Sequence, residues 1–218
     1  MIEPTLTNQT TITKRYMTDY SNDKPWMPPP VVLNLLIINT IVFLATIWLE
    51  RMGYYNITNM LALNSIATGR FGIWQLVTYM FMHASFGHLF FNMFALYMFG
   101  IVLEKFWGWR RFLFYYMVCG VGAGLCNILV PGWGLTVGAS GAVYGLLLAF
   151  GMLFPNDHIY LYFVMPIKAK WFVIIYAVIE LIEGITVADG VAHFAHLGGM
   201  LFGLILILYW RKHPFSRF

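Results

Sequence analysis

Six apolar runs, each near the length that crosses a bilayer as a helix, constrain this chain more than any other feature. About 20 residues at 1.5 Å each cover the ~30 Å of bilayer hydrocarbon. The runs are approximately Val31–Leu49, Phe86–Leu103, Phe112–Val130, Gly138–Phe154, Trp171–Glu183 and Val191–Trp210. The fifth is short unless the apolar, Pro-containing stretch Ile159–Ile167 leads into it. With 60% of its 218 residues hydrophobic and 10% charged, the chain leaves no room between the runs for a soluble domain of useful size. The expectation is an all-α polytopic membrane protein in three parts. Residues 1–30 form a polar tail ending in the helix-blocking "KPWMPPP" linker, residues 31–210 a six-helix membrane domain, and residues 211–218 a short basic tail. The tail has no apolar core near its start, so no cleavable signal peptide is expected, and the first span serves as insertion signal.

Basic residues set the orientation, because Lys and Arg stay on the cytoplasmic side during insertion. Lys14, Arg15, Lys24, Lys105, Arg110, Arg111, Lys168, Lys170, Arg211, Lys212 and Arg217 fall on one side, leaving only Arg51 and Arg70 of the 13 for the other. Both termini are therefore expected in the cytoplasm. Topology and contact with anionic membrane lipids account for the net charge of +4, so no nucleic-acid partner is called for.

Strongly polar groups inside spans are costly and by default mark function. Span 2 holds His88 and Asn92, spaced to share one helix face, with His83 just before it. Span 4 begins at Ser140, and span 6 holds His193 and His196. The His88–Asn92 pair reads either as a helix–helix polar clasp or as a pair of donors aimed at one place. Gly141, Gly145 and Ala149 make a smooth strip on span 4, matched on the His196 face of span 6 by Gly199 and Gly203, so these two helices are expected in close contact. Spans 2, 4 and 6 all run inward, which puts Ser140, His196 and His88 in the outer half of the bilayer. Span 4 is short, and "VPGWGLTV" before it disfavours helix, so Ser140 lies below the outer surface beside irregular chain. Such chain is tolerated there only inside protein or at a water-filled cavity.

A serine hydroxyl needs an adjacent base, and histidine is the usual one. His196 fills that role, while the Ser140 N–H, His88 and Asn92 supply donors for an oxyanion. No acidic group is expected at this depth, Glu183 and Asp189 being placed at the loop before span 6, so the expectation is a Ser–His dyad. Cys119 and Cys126 lie in one helix and read as packing residues, and Gly120, Gly122 and Gly124 in "CGVGAG" as helix-packing glycines rather than a phosphate loop.

"GASGAVYG" around Ser140, "HLFFN" at His88–Asn92 and "AHLGGMLFG" at Ala195–Gly203 resemble the three signature elements of the rhomboid intramembrane serine proteases. "LEKFWGWRRFLFYYMVCGVGAGL" and "WQLVTYMFMHASFGH" resemble the family's flanking segments, over about residues 30–210. The resemblance implies the minimal six-helix bacterial type, a rhomboid-like bundle in a bacterial inner membrane with its active site opening outward. It implies that Ser140 is the nucleophile and His196 the general base, that His88 and Asn92 stabilise the oxyanion, and that Tyr144 packs on the His196 ring with Gly138 in support. His83 and His193 are expected to make structural hydrogen bonds. Glu50–Gly72 would lie partly in the membrane, and "GITVADGV" would cap the site, moving with helix 5 to admit substrate. The implied reaction is hydrolysis of peptide bonds in or near transmembrane segments of other membrane proteins, with no cofactor or metal. The competing readings are a catalytically silent rhomboid-like protein that binds clients, and a channel or transporter. The oligomeric state is open.

Overall fold

The computed structural model describes residues 27–54, 56–129, 134–161, 164–186 and 192–213. The first 26 residues, Trp133, residues 187–191 of the expected cap with Asp189, and the last five residues lie outside the described residues. Helix dominates, in keeping with an all-α polytopic membrane protein: α1 (Pro30–Arg51), α2 (Asn56–Leu61), α3 (Gln75–Thr78), α4 (Phe86–Trp107), α5 (Trp109–Ile128), α6 (Ser140–Leu153), α7 (Ala169–Thr186) and α8 (His193–Lys212). Four of these, α1, α4, α5 and α8, are long and apolar enough to cross a membrane by length and composition. α6 has only 14 residues, about 21 Å, and α7 carries Lys170, Glu180 and Glu183 within 18.

One element departs from the expected all-helical pattern. Ile159–Ile167 does not lead into the fifth helix; it lies in an antiparallel pair of strands, β1 (His158–Leu161) and β2 (Met165–Lys168), that pairs Ile159 with Ile167. A short apolar run of this kind reads equally well as helix or strand. Backbone bonds from Ala169 to the Asp157 carbonyl at 2.8 Å and from Lys170 to the Pro155 carbonyl at 3.3 Å tie the foot of α7 to the end of α6.

α8 packs along both α5 and α6, α1 lies against α4, and α7 rests on α6 and α8. Small residues explain the close central packing. A Cβ on Gly199 would come 1.9 Å from the Gly141 carbonyl oxygen, and one on Gly203 2.3 Å from the Tyr115 hydroxyl. Cys119 abuts both Gly145 and Gly203, and Cys126 abuts Gly198; both thiols are free. Gly120, Gly122 and Gly124 of α5 meet Met80, Phe202 and the Leu76–Tyr79–Leu63 group, so they pack helices and cradle no phosphate. Outward, large apolar side chains such as Ile41, Leu44, Phe91 and Val178 stand exposed, as expected of a surface solvated by lipid.

Buried Glu104 serves the fold. Its two carboxylate oxygens accept from the backbone N–H groups of Val31 (3.0 Å) and Val32 (2.8 Å). These are orphan donors at the positive end of α1, which begins with Pro30 in its first turn. One carboxylate thus joins the start of α1 to the end of α4.

Candidate active site

The chain reaches Ser140 through a braced, non-helical approach. Leu63 and Thr136 exchange two backbone hydrogen bonds of 2.9 Å, and Gly138 N–H donates to the Tyr79 carbonyl at 2.9 Å. The Asn127 amide donates to the Thr136 hydroxyl at 2.8 Å, and the Tyr79 hydroxyl donates to the Gly120 carbonyl at 2.7 Å. Gly138 has φ +127°, a conformation that L side chains rarely adopt. A Cβ there would also sit 2.7 Å from His88 Nε2 and 3.6 Å from Ser140 Oγ. Glycine is therefore required twice over, for its backbone angle and for the imidazole beside it. Ser140 is the first residue of α6, where backbone N–H groups have no partner within the helix.

Close approach of α6 and α8 brings His196 onto this serine. His196 Nε2 lies 2.8 Å from Ser140 Oγ. The Tyr144 ring, one turn along α6, is stacked on the His196 ring at 4.2 Å between centroids and 8° between planes. His196 is buried, whereas Ser140 and His88 are only half-buried.

The expectation of no acid at this depth is overturned. Glu180 of α7 is buried, and its Oε2 lies 2.9 Å from His196 Nδ1 and 2.7 Å from His193 Nδ1. Its Oε1 accepts a hydrogen bond from the Tyr144 hydroxyl. A carboxylate can only accept, so both imidazoles donate from Nδ1, and His196 Nε2 is left as the acceptor facing Ser140. Glu180 escaped the sequence reading because "AVIELIEG" looks like the frayed end of a short span. The available signal was an ionisable residue within an apolar run, together with two histidines three apart on one face of the next helix. Glu180, His193 and His196 also present metal-type ligand atoms within 4.8 Å of one another. Their separations are those of direct hydrogen bonds, and His196 is engaged by Ser140 as well.

Ser85 caps α4, its hydroxyl accepting from His88 N–H at 3.1 Å, which fixes His88 in the first turn. The Ala84 N–H approaches His88 Nδ1 at 3.4 Å. That assigns the ring proton to Nε2, the atom beside Gly138. Buried Asn92 donates one amide hydrogen to the His88 carbonyl at 2.8 Å, and its other hydrogen is not used in that bond. His193 makes the expected structural hydrogen bond, to Glu180. His83 does not: among the described residues neither of its ring nitrogens has a hydrogen-bond partner, and its ring stands edge-on to His88 at 5.1 Å.

A serine oxygen held at hydrogen-bond distance from an imidazole acceptor can pass its proton as it attacks a carbonyl. A donor nitrogen and a helix N-terminus beside it can receive the resulting negative oxygen.

The sequence matches the family model described as Rhomboid domain over residues 70–213. Rhomboid-like protease 3 of Toxoplasma gondii is 30% identical over 146 residues, 67% of this chain and 55% of that protein. Rhomboid-like protein 11, chloroplastic, of Arabidopsis thaliana is 31% identical over 220 residues, 95% of this chain and 75% of that protein. Rhomboid protein 1, mitochondrial, of Saccharomyces cerevisiae is 31% identical over 194 residues, 85% and 54% respectively. The chain spans 35% to 55% of the length of several relatives it matches. Chloroplastic and mitochondrial proteins among them lend no support to the expected bacterial inner membrane.

Proposed function

Since the chain belongs to the rhomboid family, we propose that it is an intramembrane serine endopeptidase that hydrolyses peptide bonds in or near transmembrane segments of other membrane proteins. The observation that carries this reading is the 2.8 Å contact between His196 Nε2 and Ser140 Oγ. Ser140 attacks the scissile carbonyl while His196 takes its proton. The tetrahedral oxyanion is met by the Ser140 backbone N–H and by His88 Nε2–H, with the spare amide hydrogen of Asn92 within the same group of donors. His196 then gives its proton to the leaving amine, and water, activated by the same ring, releases the acyl group. Tyr144 holds the ring by its stacked face, and Gly138 leaves space for His88. No step calls for a cofactor or metal. α6 and α7 join the four longer helices as spans, and both termini share one side of the membrane, opposite the side to which Ser140 opens. A substrate helix must unwind to expose its carbonyl, because an intact helix hides it in backbone hydrogen bonds.

The test is cleavage of a single-span reporter protein, with a Gly- and Ala-rich segment at its outer membrane boundary, by the chain reconstituted in liposomes. The unmodified chain is expected to cut it, and the Ser140→Ala and His196→Ala variants to lose the activity. Cleavage that survives Ser140→Ala rules the serine mechanism out. Binding of the reporter without any cleavage by the unmodified chain would favour a silent, client-binding role.

A further inference from the structure

We propose that Glu180 is a positioning residue for catalysis, making the working unit a Ser140–His196–Glu180 triad rather than a dyad; this rests on the protease reading above. The chemistry needs one tautomer of His196. Nε2 must be bare to take the Ser140 proton, so Nδ1 must carry hydrogen, and that hydrogen needs an acceptor in a buried site. Glu180 Oε2, 2.9 Å away, is that acceptor. Once Nε2 has taken the serine proton, the imidazolium lies against a carboxylate in a site of low polarity, where the attraction counts for more than in water.

Glu180 is itself oriented from two sides. His193 Nδ1–H donates to the same oxygen at 2.7 Å, and the Tyr144 hydroxyl donates to the other. Tyr144 therefore touches both members of the His196–Glu180 pair, the ring by stacking and the carboxylate by hydrogen bond. Glu183 stands further off, 3.7 Å from His193 Nδ1 and partly exposed. The carboxylate comes from α7, whose buried residues are Ala169, Val173 and Glu180. Glu180 is thus the only one of the three in the half of α7 beside Ser140. The acid that sets the base belongs to the helix with the fewest buried residues among α4, α6, α7 and α8, so a properly set His196 requires α7 in its docked position.

The test uses the full chain in liposomes and a fluorophosphonate probe, whose labelling rate reports the nucleophilicity of Ser140. Glu180→Gln is expected to slow labelling and reporter kcat by about 10⁴-fold, the order found for removing the acid from a serine triad, with KM within about threefold. In a His196→Ala background the same change is expected to alter the residual rate less than about threefold, because Glu180 acts through His196. Equal labelling by the unmodified chain and a folded Glu180→Gln variant, or a full multiplicative loss in the His196→Ala background, overturns the proposal and leaves the Ser–His reading standing. Failure of the unmodified chain itself to label overturns that reading, and this proposal with it. A second measurement does not depend on the Glu180 variant folding. Imidazole ¹⁵N NMR of the Ser140→Ala chain, with the His196 resonance assigned by His196→Ala, should show hydrogen on Nδ1 and a bare Nε2. Hydrogen on Nε2 and a bare Nδ1 contradicts the triad.

Discussion

At the scale of single residues, the site turns on which atom holds a proton and which position can hold a side chain. Gly138 shows the second constraint most plainly. Its positive φ of 127° and the 2.7 Å that would separate an added Cβ from His88 Nε2 mean that Gly138→Ala must distort the approach to Ser140 or push His88 aside. Losing one oxyanion donor costs on the order of 10²–10³ in kcat. Gly138→Ala is therefore expected to lower reporter kcat by about that factor while the chain still folds; full activity in the variant would remove His88 from the oxyanion site. Ser140, His196, His88 and Asn92 were legible in the sequence because polar side chains in apolar spans are few and stand out. Glu180 was not, because its value depends on a contact across two helices that no spacing within one run reveals. His83 stood out equally, yet its ring nitrogens find no hydrogen-bond partner among the described residues, so rarity in a span marks candidates without assigning them work.

Between helices, the distance from Ser140 to His196 is set by glycine. Gly199 has no room for a methyl group, since a Cβ would fall 1.9 Å from the Gly141 carbonyl oxygen, which is backbone and cannot rotate away. Gly199→Ala must force α6 and α8 apart. Overpacking of this kind costs about 1–3 kcal/mol, so the variant is expected to melt at a lower temperature in detergent and to label more slowly with a fluorophosphonate. An unchanged melting temperature would mean that the two helices are not held as closely as described. The small-residue strips on spans 4 and 6 announced this contact through their four-residue spacing. The strand pair before α7 had no comparable signal: between His158 and Lys168 the stretch "IYLYFVMPI" has no charged residue, and alternation between two faces, the mark of a half-buried strand, is absent.

At the scale of the whole molecule, the long helices can be read from hydropathy alone, because bilayer thickness fixes how long an apolar run must be. The asymmetry of the molecule is read from charge. If eleven of the thirteen basic residues mark one side, tags on the N- and C-termini will both be accessible to protease from that side in sealed vesicles, and the new thiol of an Arg70→Cys variant will react with an impermeant thiol reagent only from the other. Termini on opposite sides would place Ser140 at the wrong depth relative to His196 and undo the topology. The proposed hydrolysis depends on Ser140 being a nucleophile activated by His196, and peptide mass spectrometry of the chain after fluorophosphonate treatment in liposomes tests that most directly. The expected result is a single phosphonylated residue, Ser140, with the adduct reduced to a slow residual in His196→Ala; an adduct on any other residue, or an undiminished Ser140 adduct without His196, contradicts it.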